Sequence, residues 1–171
     1  SIAKAVVLNV GTLSIEEVEA MIIAGKSANE HGVPVVLDPV GAGATEYRTT
    51  MARKILEEVD VTIVRGNAPE VANVVGEKVE MKGVDASSDL VDVTTLAQKA
   101  ASQLDCTIVI TGEVDVISNQ HGTNSISNGH PLLTKVTGAG CLLSSVVGAF
   151  ASVHEDVLAA STTAVSAYGT A

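Results

Sequence analysis

Four short apolar runs recur along this chain, and each leads into a segment with helical periodicity. That alternation restricts the possible folds more than any other feature. Residues 4–10, 33–38, 59–64 and 106–111 are rich in Val and Ile and end at glycines or polar turns. Such runs are expected of strands buried on both faces. A Ser14–Glu17 capping box opens the first helix, with Ile15, Val18, Met21, Ile22 and Gly25 at helical spacing and Gly32 as the stop. Further helices are predicted over residues 46–58, 68–75 and 94–104, and residues 76–91 read as a loop. The whole is an α/β fold, a mostly parallel central sheet with helices on both faces. After Gly112 the pattern changes: residues 114–118 and 123–126 read as short strands of an antiparallel meander at the sheet's edge. A glycine turn and two apolar helices follow.

The chain has 171 residues, which fit a single domain spanning 1–171. Hydrophobic residues make up 46% but aromatic ones only 2%. The interior must therefore be built from Val, Ala, Leu and Ile. A net charge of −10 without a Lys/Arg cluster excludes a nucleic-acid surface and disfavours an anionic membrane surface. Residues 136–154 contain no Asp, Glu, Lys or Arg, yet a glycine turn opens them and Ser144, Ser145, Gly148 and Ser152 interrupt them. They read as a core helix rather than a membrane span. Cys106 and Cys141 make no disulfide framework, which points to a reduced, cytoplasmic setting. The chain starts almost on a core strand and ends inside a helical pattern. It therefore reads as an internal piece of a larger domain, truncated at both ends.

In an open parallel sheet, ligands bind beyond the carboxyl ends of the strands. Four features fall at such ends. Asp38 precedes Pro39 and the turn 39–43, and is either a turn former or a metal- or phosphate-site carboxylate. Arg65 lies near Asn67 and Glu70; it can serve an anion or pair with a surface carboxylate, and Glu70 suits a first helical turn on dipole grounds alone. Asp38 and Glu70 together can hold Mg²⁺ through oxygen ligands and water. Thr111–Gly112 is a strand-ending turn whose hydroxyl and amide suit a nucleotide. The fourth is the run Gly138-Ala139-Gly140-Cys141, where two glycines let the backbone approach a ligand and a helix start offers free N–H groups to an anion. Cys141 there is either a nucleophile or base, or a small buried hydrophobe. Cys106, inside an apolar strand, reads as core. His31, His121, His130 and His154 share no metal-ligand spacing, and His130 before Pro131 reads as a loop former. Neither G-x-x-x-x-G-K-[ST] nor G-x-G-x-x-G after the first strand occurs.

Asp38-Pro-Val-Gly-Ala-Gly-Ala44, Arg65-Gly-Asn-Ala-Pro-Glu70, Asn128-Gly-His-Pro-Leu-Leu133 and Val136-Thr-Gly-Ala-Gly-Cys141 closely resemble the hydroxyethylthiazole kinase family, in the right order over essentially the whole chain. The resemblance implies a ribokinase-like fold. It also implies transfer of the ATP γ-phosphoryl group to the alcohol of 4-methyl-5-(2-hydroxyethyl)thiazole in thiamine salvage. Cys141, where ribokinase-like relatives carry Asp, would sit beside the substrate hydroxyl. The amides of Gly138, Ala139, Gly140 and Cys141 would form the anion hole, with Gly138 also touching the thiazole. Arg65, Thr111, Asn67 and Gly112 would serve the nucleotide, and Asp38 and Glu70 would organise Mg²⁺. A homotrimer is implied as well. The competing expectations are a non-catalytic nucleotide-binding module derived from this family, or a ribokinase-like kinase for another small alcohol. Cys141→Asp is expected to retain or raise the rate of ATP-dependent phosphorylation; a folded variant without turnover would count against Cys141 as the residue beside the hydroxyl.

Overall fold

The computed structural model describes residues 2–77, 86–129, 133 and 135–170. Among them, β1 (Val6–Asn9), β2 (Val35–Asp38), β3 (Ile63–Asn67), β4 (Thr107–Thr111), β5 (Asp115–Asn119) and β6 (Gly122–Ile126) form one sheet in sequence order. The first four strands run parallel, and β5 and β6 return antiparallel at one edge. The helices are α1 (Ile15–Glu30), α2 (Glu46–Glu58), α3 (Ala68–Val75), α4 (Ala86–Leu104), α5 (Ala139–Ala151) and α6 (Val157–Thr170).

Strand side chains alternate between the two faces, and the apolar runs use both. Val35 and Leu37 join Leu8, Val64, Ile108 and Ile110 in a core covered by α1 to α4. Val36 joins Ile63, Val109 and Ile117 in a second core covered by α5 and α6. Continuous apolar runs are thus the consequence of a sheet with no wet face. α5 buries Leu143, Val147 and Ala151 while Leu142 stays exposed, so it is a half-buried cover for the sheet. Among the described residues, no helix is long and apolar enough to cross a membrane.

The ends of the elements follow local chemistry. The Ser14 hydroxyl accepts from the Glu17 amide and the Glu17 carboxylate accepts from the Ser14 amide, completing the expected capping box. Two expectations need correction. The third strand does not occupy residues 59–64. Val59 caps α2, and the strand runs from Ile63 through Arg65, Gly66 and Asn67, because parallel pairing to β4 continues to Asn67 opposite Thr111. Helix α4 begins at Ala86, inside the stretch read as a loop. Ser87, Ser88 and Asp89 look like loop residues, but they are also residue types that favour a helix start. His130 lies outside the described residues.

α1 crosses the end of α2 at Gly25, where an added Cβ would lie 2.5 Å from Val59 Cγ1 and 2.8 Å from its Cγ2. Valine cannot rotate out of the way without strain. Gly25→Ala should therefore cost about 1–3 kcal/mol through overpacking, partly offset by about 1 kcal/mol of helix propensity. Urea unfolding should show a net loss of stability. A gain would mean that the α1–α2 contact is loose.

Candidate active site

Register aligns the polar residues that end the strands. Asn9 ends β1 opposite Asp38 of β2, and Asn67 ends β3 opposite Thr111 of β4. Arg65 lies two residues before Asn67, so its side chain emerges on the same face of the sheet.

Asp38 is fully buried. Its Oδ2 accepts from Asn9 Nδ2 at 2.9 Å and from the Ser144 hydroxyl of α5 at 2.8 Å. Its Oδ1 has no hydrogen-bond partner, with Arg65 Nη1 standing off at 3.8 Å. Burial pushes the Asp38 carboxyl above its ordinary value, opposed by the Arg65 charge and the Ser144 hydroxyl; the Glu70 charge adds to the rise and a hydrogen bond from the Cys141 thiol opposes it. Cys141 is half-buried on the first turn of α5.

Arg65 is the cation of the site. Nη2 donates to Thr111 Oγ1 at 2.7 Å, while Nε is buried without a partner. The guanidinium lies flat against Gly140, where an added Cβ would sit 2.6 Å from Nη1 and 2.9 Å from Nη2. Gly140 is therefore dictated by the arginine. Gly138 is dictated by the backbone: it caps α5 with φ +85°, in the left-handed region, although an added Cβ would find nothing within 4 Å. No side chain caps this helix. The Ala139 amide donates to the Val136 carbonyl at 3.2 Å, and the Leu142 amide is the first to bond back to Gly138. The amides of Gly140 and Cys141 in between have no acceptor among the described residues. A helix start in this condition attracts an anion.

Asn67 and Glu70 are engaged in a reciprocal cap of α3. Asn67 Oδ1 accepts from the Glu70 amide and Glu70 Oε2 accepts from the Asn67 amide, while Oε1 takes the Gly41 amide at 2.9 Å. Glu70 thus ties the glycine turn after β2 to the start of α3. The Gly112 amide, expected to be open, donates to Asp115 Oδ1 at 3.0 Å. Burial raises the Asp115 carboxyl above its ordinary value, opposed by that amide and by Arg65. Cys106 is buried, and burial pushes its thiol up to about 12, in keeping with a core residue.

A cleft of about 600 Å³ is lined among others by Arg65, Asn67, Thr111, Gly112, Ala139 and Gly140, whereas Asp38, Glu70, Gly138 and Cys141 are not among its lining residues. The chain over residues 1–171 matches the model of the "Hydroxyethylthiazole kinase family". The chain belongs to the hydroxyethylthiazole kinase family. The solved hydroxyethylthiazole kinase of Pyrococcus horikoshii OT3 is 38% identical, with a TM-score of 0.86 over 96% of this chain and 60% of that one. A Bacillus subtilis pyridoxal kinase, solved as an ADP complex, is 24% identical, with a TM-score of 0.64 over 95% of this chain and 61% of that one. A ribokinase-like superfamily protein from Enterococcus faecalis V583 is 12% identical, with a TM-score of 0.70 over 95% of this chain and 53% of that one. The fold of this family member is thus ribokinase-like. The chain spans about three fifths of the length of the first two.

Several residues of the site carried little sequence signal. Asn9 is a strand-ending polar residue, as Asp38 is, and that parallel was the available sign. Ser144 falls three residues before the sheet-packed Val147 in an apolar helix, hence on the sheet-facing side. Asp115 sits in a strand, and Arg48 in an ordinary charged helix. Yet Arg48 donates to the carbonyls of Val10, Val40 and Gly11 and so fixes both loops that leave β1 and β2.

A carboxyl raised by burial binds its proton more tightly folded than unfolded, so its contribution is present at low pH and is lost as pH rises. For Asp38 the loss begins above its ordinary value of 3.8 and continues through the raised folded value. Asp38→Asn cannot titrate. In urea unfolding without divalent cation or nucleotide, the parent should lose stability relative to Asp38→Asn as pH rises across that window. A constant difference would show that Asp38 keeps its ordinary affinity for the proton.

Proposed function

We propose that this protein is the ATP-dependent kinase of 4-methyl-5-(2-hydroxyethyl)thiazole, transferring the γ-phosphoryl group to the primary alcohol in thiamine salvage. The reading rests on one observation above the rest. The start of α5 presents uncapped amides of Gly140 and Cys141 against Arg65, in an edge where Asp38 is sealed from water. Family membership points to the substrate, and similar solved structures are a hydroxyethylthiazole kinase and a pyridoxal kinase.

Phosphoryl transfer needs alignment and stabilisation of charge more than a strong base. In this reading the nucleotide phosphates lie in the cleft along Arg65, Thr111, Asn67 and Gly112. The alcohol approaches Gly138 and Cys141, and the helix start with Arg65 holds the charge of the group in transit. In this reading Cys141, on the first turn of α5, takes the place beside the alcohol where a carboxylate stands in other ribokinase-like enzymes.

The residues present fit Mg²⁺ held through water rather than clamped directly. Asp38 Oδ1 is buried without a hydrogen-bond partner and feels the charge of Glu70. Each Glu70 oxygen already accepts one backbone amide, leaving a single lone pair. Among the described residues no group of three His, Cys, Asp or Glu side chains is placed to hold a metal. When bound, Mg²⁺ would neutralise phosphate charge, with Glu70 facing its water shell and the buried Asp38 acting through its charge. A cytoplasmic homotrimer belongs to the same reading, supported by free Cys106 and Cys141 and by apolar exposure at Val136 and Leu142 beside the site.

The full-length protein supplied with ATP, Mg²⁺ and the thiazole alcohol should form the thiazole phosphate. A folded protein that binds ATP without turnover, or that phosphorylates only a different alcohol, would overturn the assignment. Gly140→Ala, which displaces Arg65, and Gly138→Ala, which strains the cap, should each lower kcat/KM by about 100-fold or more. Parent-like rates in both would remove the helix start from the mechanism.

A further inference from the structure

The last turns of α6 reach the same cleft. Tyr168, lining it, donates its hydroxyl proton to the Ala139 carbonyl at 2.8 Å. Two residues earlier, the Ser166 carbonyl accepts from Asn128 Nδ2 at 2.8 Å, and Gly169 packs so closely on the Asn128 amide that no side chain would fit between them. The end of α6 is therefore anchored, and the phenol is held on its acceptor from a fixed base.

The acceptor matters because a carbonyl and the following N–H belong to one planar peptide unit. The Ala139 oxygen shares its unit with the Gly140 nitrogen. A donor on that oxygen draws electron density from the unit and makes its N–H a stronger donor, the cooperative effect expected in a hydrogen-bonded chain. The Gly140 amide is one of those left without an acceptor, directly against Arg65.

We propose that Tyr168 is a positioning residue for phosphoryl transfer: its hydroxyl orients and polarises the Ala139–Gly140 peptide so that the Gly140 N–H meets the charge of the group in transit. This rests on the kinase reading above. The phenol acts through the peptide and does not touch the reacting atoms. Removal of the hydroxyl leaves nucleotide and alcohol binding in place and weakens what the amide contributes during transfer. Tyr47, the other tyrosine, lies exposed on α2 and outside the cleft lining.

The test uses the full-length protein and steady-state kinetics with ATP and the thiazole alcohol. Tyr168→Phe keeps the ring and loses the donor. We expect kcat to fall about 3- to 15-fold, the scale of one hydrogen bond, with both KM values within about twofold and thermal stability nearly unchanged. Incorporation of 3-fluorotyrosine at position 168, a stronger donor at near-neutral pH, should raise kcat above the parent. A Tyr168→Phe protein with parent-like kcat, or one that loses rate only through KM, overturns the proposal and leaves the kinase reading standing. A parent without turnover overturns both. If Tyr168→Phe does not fold, the fluorinated protein decides: a kcat above the parent supports the proposal, and one at or below it overturns it.

Discussion

A single carboxylate shut away from water holds the working end of this molecule together. Asp38 receives Asn9 from β1, Ser144 from α5, and the charge of Arg65 from β3. Burying one charge is costly unless partners compensate, and removing a partner from a buried pair typically costs about 3–5 kcal/mol. That requirement fixes the mutual positions of three strands and the helix that covers this face of the sheet more tightly than apolar packing would. The unsatisfied Oδ1 and the unsatisfied Arg65 Nε are the part of this arrangement left open. Both atoms are buried; Arg65 lines the cleft and Asp38 is not among its lining residues.

The local field sets a positive edge into a chain with a net charge of −10. Overall charge governs the long-range approach, but a salt-screened field fades over about 10 Å. Inside that distance the determinants are Arg65 and the uncapped start of α5. Glu70 and Asp115, which would oppose an anion, are each tied to backbone amides. Their charge is thereby directed into holding loops as well as into the cleft.

Most of the architecture was legible in the sequence because continuous apolar strands and capped helices announce themselves by period. Its ends were less so. Arg65-Gly-Asn67 read as a turn, since glycine breaks most strands; here Gly66 is in β3 because Glu70 and Val71 of α3 come close to it. Residues 86–91 read as loop because Ser and Asp serve loops and helix starts alike. At the site, Asp38, Arg65, Thr111 and the Gly138–Cys141 turn were visible as strand-end or glycine signals, and the structure brings them to one edge. Asn9, Ser144, Arg48 and Tyr168 were not, because each gains its meaning from a partner between 29 and 106 residues away. No local pattern encodes such a pairing.

The Ser144–Asp38 bond spans 106 residues of chain, and this imposes an order in time. Synthesis runs from the N-terminus, and early elements can pack while later ones are still being made. β1, β2 and β3 with α1 to α3 can therefore assemble around Asp38 before α5 exists. During that interval one whole face of the sheet, including Val36 and Ile63, is bare, and Asp38 is open to water on that side. Arrival of α5 seals the carboxylate, covers the second core and creates the anion-attracting helix start in the same event. The step that closes this face of the fold is thus also the step that places the uncapped helix start beside Arg65.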